Sequence, residues 1–503
     1  MSSVVRQLEL PLLGSEPRSE SFGRTLRERL AYLLEQDLDF HDQSSSYWSH
    51  NLHSFPAKFP PQLPHAFIAG LTAPGEVVLD PMAGSGTTIV EAILAGRHAV
   101  GFDIDPLALL LCKVKTTPLD AGRAQAAGAE VLRYARFLMF QRPSVLAQEF
   151  ERRFDERTRG FVRYWFRPET QAELLALVLG VERIDDAQVQ AFLKVTLSST
   201  IITKSGGVSL ARDLGHTRPH RAEDKETRLA IVEFGKRLAR NLQALRDINA
   251  SPGRAQVACG DAQYLPLGPS SVDLVVTSPP YASNAIDYLR AHKFSLVWLG
   301  HPVDALTQKR RGYIGGEATT AFQFEELPPV AAARVKAVGA VNPRKGHVLH
   351  RYYSEMARSL REMLRVLRPG RAAVVVIGTS VMQGVDTLTH ECLASIAESL
   401  GFDVVGIATR RLDRDRRMMP ARSGRPAGSQ IEQRMHEEYV IGLRKPGDEA
   451  GAPVPSGGPA CYGPPAARSR RNWDARCDAG ASPAGPAGRG EGPGALGAPP
   501  ADP

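Results

Sequence analysis

The fold of this 503-residue chain is decided by residues 77–103, which read VVLDPMAGSGTTIVEAILAGRHAVGFD. The apolar run at 77–80 is typical of a buried parallel strand, 81–88 predicts a glycine-rich turn, and 88–97 predicts a helix that stops at a glycine. A second strand is predicted at 98–103. Two strands joined by a helix within about 30 residues form a βαβ unit, so the stretch predicts a parallel sheet.

Further strands and helices are predicted on both sides of this unit. The strands are expected at 255–262, 272–278, 371–378, 403–410 and 437–445, and the helices at 24–38, 351–367 and near 387–400. With the first two strands this makes a seven-stranded, mostly parallel sheet in a doubly wound α/β fold. A polar loop joins the last two strands.

The chain is expected to divide into five segments. They are an N-terminal lead-in and helix at 1–40, a first part of the sheet domain with the glycine turn at 41–110, a mainly helical insertion at 111–254, a second part of the sheet domain at 255–445 and a tail at 446–503. The tail is rich in Gly, Pro and Ala and has no hydrophobic period, which predicts disorder.

Charge and cysteine content narrow the class of protein. The formal net charge is +8, which suits a polyanionic partner because Lys and Arg displace counterions from phosphates, although many basic soluble proteins bind no nucleic acid. The five cysteines form no CxxC pair, which argues against a zinc site and a disulfide framework. We see no signal peptide and no run of about 18 apolar residues, so we expect a cytoplasmic protein without a membrane partner.

The glycine turn lies between a strand and a helix, which is the context of a nucleotide-type cofactor loop. Gly84 and Gly86 allow backbone angles and a close approach that a Cβ would block. The N–H groups at the start of the following helix favour an anionic ligand group. Asp103 ends the second strand, where a carboxylate can accept two hydrogen bonds from a ribose diol. Thr87 and Thr88 stand where a Walker lysine would be, which disfavours ATP, and a plain structural turn is the alternative.

The residues Ser278-Pro279-Pro280-Tyr281 end the strand at 272–278. Two prolines cannot continue a sheet, so the loop is rigid and presents its carbonyls at the edge where open parallel sheets bind ligands. The Ser278 hydroxyl and the Pro279 carbonyl can accept hydrogen bonds from a base amine and expose its lone pair. Tyr281 can stack on a base that has been extruded from the duplex. A turn without a catalytic role is the alternative.

The two loops together resemble the amino-methylating DNA methyltransferases, the N4-cytosine and N6-adenine family, which pairs a DPFxGxGTT loop with [DNS]PP[YFW]. Here the first loop reads Asp80-Pro81-Met82-Ala83-Gly84-Ser85-Gly86-Thr87-Thr88. The stretch 53–60, HSFPAKFP, is similar to the family's HPxxKP element. Gly260-Asp261-Ala262 is similar to its third-strand acid, which holds the cofactor adenine.

The resemblance implies a class I, Rossmann-like methyltransferase fold that binds S-adenosyl-L-methionine and no metal. The implied cofactor-binding residues are Lys58, Phe59, Asp80, Pro81, Ala83, Gly84, Gly86, Thr87, Thr88, Asp103 and Asp261. The implied catalytic residues are Ser278, Pro279, Pro280 and Tyr281.

The Ser-Pro-Pro-Tyr version of the second motif is typical of N4-cytosine enzymes, so we expect N4-cytosine methylation, with N6-adenine as the alternative. The resemblance implies double-stranded DNA as the substrate, a restriction-modification setting with a cognate endonuclease as a possible partner, and the insertion as the candidate DNA-recognition region. Two other functions stay open. One is an RNA enzyme that methylates N2 of guanine in tRNA, and the other is a catalytically inactive nucleic-acid binding module.

Some weaker candidates carry two interpretations. A basic run near a sheet end predicts either a solvated loop or a phosphate contact, and comprises Arg410, Arg411, Arg414, Arg416 and Arg417. Tyr288 and Trp298 are interpreted as core residues rather than base contacts. His53 and His65 are interpreted as structural residues of the loop before the glycine turn.

Overall fold

A computed structural model of the chain describes residues 25–56, 58–203, 207–212, 214, 219–248, 252–282, 288–412 and 437–447. Most of the predicted lead-in and almost all of the predicted tail lie outside the described residues, as do Arg414, Arg416 and Arg417 of the basic run. No helix in the described ranges is long and apolar enough to span a membrane.

The strands are β1 (Val77–Asp80), β2 (His98–Asp103), β3 (Arg254–Cys259), β4 (Val272–Thr277), β5 (Leu367–Ile377), β6 (Val381–Met382), β7 (Val385–Asp386), β8 (Asp403–Arg411) and β9 (Glu437–Arg444). Within the described ranges, seven of them form one sheet in the order β3-β2-β1-β4-β5-β9-β8. Strands β1 to β5 pair in parallel, and β9 runs antiparallel to both β5 and β8. The predicted seven-stranded, mostly parallel α/β sheet of a class I methyltransferase fold is confirmed.

The helices are α1 (Leu26–Glu35), α2 (Gln62–Leu71), α3 (Thr87–Leu94), α4 (Pro106–Thr116), α5 (Ala121–Gln141), α6 (Pro143–Arg153), α7 (Glu156–Trp165), α8 (Pro168–Glu182), α9 (Ala187–Ile201), α10 (Ala230–Ile248), α11 (Tyr288–Leu296), α12 (Val303–Arg310), α13 (Pro329–Val341), α14 (Pro343–Val366) and α15 (Thr389–Ser399). A short 3₁₀ helix at Trp48–Asn51 precedes α2. The prolines that open several helices have no N–H to leave unsatisfied in the first turn.

The central strands of the sheet are buried on both faces, and alternate residues of each strand enter different layers. On one face Val78, Leu274 and Val374 pack with residues of α1, α2 and α3. On the other face Val275 and Val375 pack with residues of α14 and α15. This two-layer burial explains why 274–276 in β4 and 372–377 in β5 are continuously apolar. The order of the strands changes direction between β1 and β4, and such a switch point opens a crevice at the carboxyl ends of the strands.

The predicted insertion is mainly helical, from α5 to α10, and most residues of one hydrophobic core come from it. Val131, Leu175, Phe192 and Phe234, which come from four of its helices, are all buried in that core. The core also takes residues of α4 and α11, so the insertion packs against helices of the sheet domain. The division of the chain into five segments stays a prediction.

Candidate active site

A cavity with about 860 Å³ of empty space, including its mouth, lies at the carboxyl ends of β1, β2, β3 and β4. The predicted site residues that line it are Lys58, Phe59, Asp80, Pro81, Ala83, Gly84, Thr87, Asp103, Asp261, Ser278 and Pro280. Gly86, Thr88, Pro279 and Tyr281 support the loops around the cavity instead of lining it.

The glycine turn is built by two residues in the left-handed backbone region, where glycine is favoured. Gly84 has φ +50° and Gly86 has φ +77°. A Cβ on Gly86 would lie 2.9 Å from Cys112 Sγ, and a Cβ on Gly84 would lie 3.5 Å from the ring of Phe55. The turn therefore fits closely between α4 and the loop before α2. Helix α3 begins directly after it, and the N–H groups of a helix's first turn favour an anion.

Asp103 fixes the turn from the neighbouring strand. One of its carboxylate oxygens accepts a hydrogen bond from Gly84 N at 2.7 Å, and the other accepts one from Asp105 N at 2.8 Å. Burial raises the pKa of Asp103 to about 7, and the negative charge of Asp105 adds to the rise. Burial also raises the pKa of Asp80, at the end of β1, to about 6. A ligand that donates hydrogen bonds or carries a positive charge would therefore favour the ionised form of both carboxyl groups.

Asp105 is a site residue that sequence reasoning missed. It caps α4 by accepting hydrogen bonds from Leu107 N at 2.8 Å and Ala108 N at 3.2 Å. Its second oxygen lies 2.8 Å from His292 Nδ1 and accepts a hydrogen bond from Tyr313 Oη at 3.0 Å. Burial works to raise the pKa of Asp105, but His292 and these hydrogen bonds hold it below its ordinary value. The Asp after GFDI at the end of β2 was the available signal for this cap.

The cavity also takes residues from distant segments that no motif indicated. Tyr313 and Ile314 follow α12, Tyr288 opens α11, and Phe55 packs against Tyr288 with ring centroids 5.5 Å apart. Tyr288 is partly buried and also lines the cavity, so its interpretation as a core residue rather than a base contact stays a prediction. Trp298, in contrast, is fully buried in the core as expected.

The stretch before α2 is held against the glycine turn by a buried polar cluster around Glu91 of α3. Its carboxylate lies 2.7 Å from His50 Nε2 and 3.0 Å from His65 Nδ1, and it accepts a hydrogen bond from Tyr47 Oη at 3.0 Å. Lys58 Nζ donates to His50 O at 2.8 Å, which places the lysine at the cavity wall. The structure therefore brings the HSFPAKFP stretch to the predicted cofactor side.

Two other side chains complete this support. Lys115 of α4 is buried and donates from Nζ to Ser85 O in the glycine turn at 2.6 Å. His53 lies 2.8 Å from Ser198 Oγ of α9, which ties the stretch to the insertion. Burial lowers the pKa of His53 to about 3, so it stays neutral at physiological pH. These contacts agree with a structural role for His53.

The Ser-Pro-Pro-Tyr loop follows β4 directly. Ser278 and Pro280 face the cavity, and Ser278 Oγ makes no hydrogen bond to any residue in the described part of the chain. Pro279 is buried. Tyr281 is 6% exposed, and its hydroxyl donates to Glu438 Oε1 at 2.6 Å. The tyrosine side chain is therefore hydrogen-bonded to β9 and does not line the cavity.

The arginine at the start of the basic run differs from its prediction. Arg410 is 2% exposed, pairs with Glu438 and donates from Nε to Leu38 O at 3.0 Å. A surface loop or a phosphate contact is wrong for this residue. The reason is that the Arg410 side chain turns inward from β8 to Glu438 of β9 and to the segment after α1, away from solvent.

The arrangement defines a class of protein. A seven-stranded class I sheet, a glycine turn, an acid-tipped second strand and a Ser-Pro-Pro-Tyr loop meet at one cavity, as a methyltransferase site with a nucleotide-like cofactor requires. Among the residues the structure describes, no group of His, Cys, Asp and Glu could hold a metal ion.

Comparisons with known proteins agree with this class. Residues 17–112 match the N6/N4 methyltransferase family model, described as DNA methylase. The Type II methyltransferase M.MvaI of Kocuria varians is 22% identical over 66% of this chain and 77% of that protein. The Type II methyltransferase M.AvaI of Nostoc sp. is 24% identical over 65% of this chain and 73% of that protein.

Solved structures add a similar chain. An S-adenosylmethionine-dependent methyltransferase from Methanosarcina mazei aligns over 76% of this chain and 98% of that chain, with 10% identity and a TM-score of 0.26. At this TM-score the superposition supports no functional conclusion. The fold, the family model and the sequence relatives together support the amino-methyltransferase class.

Proposed function

We propose that the protein transfers a methyl group from S-adenosyl-L-methionine to the exocyclic N4 amine of cytosine in double-stranded DNA. The observation that carries the proposal is the shared cavity, which Gly84 and Asp103 line together with Ser278 and Pro280. One space can then hold the methyl donor beside an extruded base. In-line transfer requires this proximity, because the amine is hidden in the stacked duplex.

The cofactor side of the cavity fits the proposed ligand. The N–H groups at the start of α3 would hold the methionine carboxylate, because the glycine turn leaves room for close approach. The Asp103 carboxylate would accept hydrogen bonds from the ribose hydroxyls, and Asp261 would hold the adenine. When bound, the cofactor supplies an electrophilic methyl group on a sulfonium.

The Ser-Pro-Pro-Tyr side of the cavity offers hydrogen-bond acceptors that would activate a base amine, which is a weak nucleophile. The lone pair of an exocyclic amine is delocalised into the ring, so acceptors must hold its N–H bonds while the nitrogen becomes tetrahedral. The Ser278 hydroxyl faces the cavity without another partner in the described ranges, and the Pro279 carbonyl follows it on a rigid loop. Acceptors that are set before the reaction stabilise the positive charge that develops on nitrogen.

We propose that the insertion at 111–254 contacts the DNA. It contains 25 Lys and Arg residues against 17 Asp and Glu residues, so its excess of eight equals the net charge of the whole chain. Positive charge on one segment favours the phosphate backbone. We place the enzyme in the cytoplasm, within a restriction-modification system that would include a cognate endonuclease.

The deciding experiment is mass spectrometry of nucleosides from mixed-sequence DNA that has been incubated with the protein and S-adenosyl-L-methionine. We expect N4-methylcytosine. N6-methyladenine would keep the class and overturn the base. A methylated base in tRNA without one in DNA would assign the protein to the RNA enzymes. Cofactor binding without transfer to either nucleic acid would indicate an inactive binding module.

A further inference from the structure

The Tyr281 side chain crosses the end of a neighbouring strand. From the loop after β4 it passes over Gly378, the residue that follows β5, and reaches β9. A Cβ on Gly378 would lie 2.9 Å from Cε2 of the Tyr281 ring, so the glycine provides the space for this crossing. The hydroxyl then meets Glu438 Oε1 at 2.6 Å.

Glu438 belongs to a buried ion pair. It lies opposite Arg410 in the antiparallel register of β9 and β8, and the side chains of Arg410 and Glu438 are 2% and 12% exposed. One carboxylate oxygen receives the Tyr281 hydroxyl and the other receives the Arg410 guanidinium. Arg410 also donates from Nε to Leu38 O at 3.0 Å, which connects the pair to the segment after α1.

A buried ion pair is costly to desolvate unless each charged group has its hydrogen-bond partners. Here Arg410 donates to Oε2 of the Glu438 carboxylate, and the Tyr281 hydroxyl donates to Oε1. The tyrosine therefore satisfies the second oxygen of the buried carboxylate. Burial and the charge of Glu438 raise the pKa of Tyr281 well above its ordinary value, so the hydroxyl remains a donor at physiological pH. The tyrosine and the ion pair therefore fix each other.

We propose that Glu438 and Arg410 are positioning residues for methyl transfer, which hold the Ser-Pro-Pro-Tyr loop through the Tyr281 hydroxyl. This inference rests on the proposed function. The two prolines fix the backbone of the loop but not the direction of the ring that follows them. With the hydroxyl anchored on β9, the loop is tied to both β4 and β9. Small displacements of reacting groups can cost about 10²-fold in rate, so such an anchor has a direct effect on transfer.

The test uses single-turnover methyl transfer by the full chain with Glu438→Gln, Tyr281→Phe and the double variant. Glu437→Gln is the matched control, because this neighbouring carboxylate of β9 is exposed and accepts a hydrogen bond from Tyr439 Oη at 3.3 Å instead. Each variant is also titrated with S-adenosyl-L-methionine and with DNA, and its melting temperature is measured.

We expect each single variant to lower the transfer rate by about 10- to 100-fold, with cofactor and DNA affinities within about threefold of wild type. Because both changes act on one contact, which Glu438→Gln weakens by removing the charge and Tyr281→Phe abolishes, the double variant should be no slower than the slower single variant by more than about threefold. The control should transfer at a rate within about twofold of wild type.

Two results would overturn the positioning role. One is transfer by Tyr281→Phe, which removes only a hydroxyl and keeps the ring, at the wild-type rate. The other is multiplication of the two single losses in the double variant, which would show that Glu438 acts on stability and not through Tyr281. Lack of transfer by the wild-type protein itself would overturn the proposed function instead.

Discussion

The loops after β1 and β4 reach the same cavity, but they are held in place by contacts of different kinds. The glycine turn is fixed through its backbone by near neighbours in sequence, since Asp103 lies 19 residues from Gly84 and Lys115 lies 30 residues from Ser85. The Ser-Pro-Pro-Tyr loop is fixed through a side chain, whose partner Glu438 lies 157 residues away from Tyr281.

This difference shows that the conformation of one loop is determined by its own residues, and that of the other loop by the assembled fold. A turn held by adjacent strands and helices depends on backbone angles and on the absence of a Cβ, both of which are written in its own residues. A loop held by a distant strand depends on the whole sheet being assembled. We therefore expect the two loops to fail differently, with lost cofactor binding in the first case and lost transfer in the second.

The largest expected effect is on the transfer step alone. Ser278→Ala removes the hydroxyl that faces the cavity and should lower the rate of methyl transfer by about 10²–10³-fold, as removal of a preset polar group at a reacting centre does. The affinity for S-adenosyl-L-methionine, measured by calorimetric titration, should stay within about threefold of wild type.

The matched control for this change is Ser271→Ala, just before β4 begins, where the hydroxyl donates to Gly268 O at 2.7 Å, outside the residues that line the cavity. It should leave both the rate and the affinity close to wild type. An equal loss of cofactor affinity in Ser278→Ala would contradict the division of labour between the two loops.

The next effect is on cofactor binding. Gly86→Ala places a Cβ at φ +77° and 2.9 Å from Cys112 Sγ, so both the backbone and the packing oppose it. Strain of about 1–3 kcal/mol corresponds to an affinity loss of about 5- to 150-fold if the turn relaxes away from its binding conformation. The dissociation constant of S-adenosyl-L-methionine measures it.

Gly75→Ala separates backbone strain from this contact. Gly75 has φ +83°, but a Cβ there would meet no atom within 4 Å, and the residue does not line the cavity. This variant should lose some thermal stability and keep its cofactor affinity. Similar affinity losses in Gly75→Ala and Gly86→Ala would mean that the glycine turn has no special role.

A smaller loss of transfer rate is expected when the Tyr281 ring is displaced from its position over the end of β5. Gly378→Ala has no backbone penalty of the left-handed kind, but its Cβ would displace the Tyr281 ring. We expect the transfer rate to fall about tenfold with cofactor affinity unchanged, because only the second loop moves. Gly268→Ala, where a Cβ would meet nothing within 4 Å, is the control. An unchanged rate in Gly378→Ala would mean that the ring position is not critical.

The sequence predicted the glycine-turn side well because its elements are bounded by strong local signals. Both β1 and β2 have their predicted limits, with Pro81 following the first and Gly96 ending the helix that precedes the second. On the side of the Ser-Pro-Pro-Tyr loop, the strand predicted at 371–378 begins earlier, at Leu367. This strand, β5, includes Arg368-Pro369-Gly370, residues that predict the end of a helix and a turn. Pairing of Leu367 with Val272 overrides that local signal.

Residues of the site could likewise be predicted where they belong to a local motif. Lys58, Asp103 and Asp261 line the cavity as their motifs predict. Tyr313 and Glu438 could not be predicted, because they lie in stretches without a motif and reach the site through long-range contacts. Asp105 carried a local signal, the acid before Pro106 at a helix start, so its cap could be predicted even though its contact with Tyr313 could not.

The smallest effect is a dependence of cofactor affinity on pH. The pKa of Asp103 is raised to about 7, mainly by burial, so the carboxyl is partly protonated in the free protein at neutral pH. The ionised form accepts two ribose hydrogen bonds and attracts a cofactor with net positive charge. Affinity for S-adenosyl-L-methionine should therefore rise about fourfold between pH 6.5 and 8, and Asp103→Asn should bind more weakly with little dependence on pH.

The stability of the free protein should change in the opposite direction over a related range. A carboxyl whose pKa is raised by folding contributes most to stability below its unfolded pKa, and that contribution is lost as the pH rises through its folded pKa. The melting temperature of the cofactor-free protein should fall between pH 5 and 8, and less so in Asp103→Asn. If affinity and melting temperature rise together with pH, ionisation of Asp103 is not what couples the cofactor to the glycine turn.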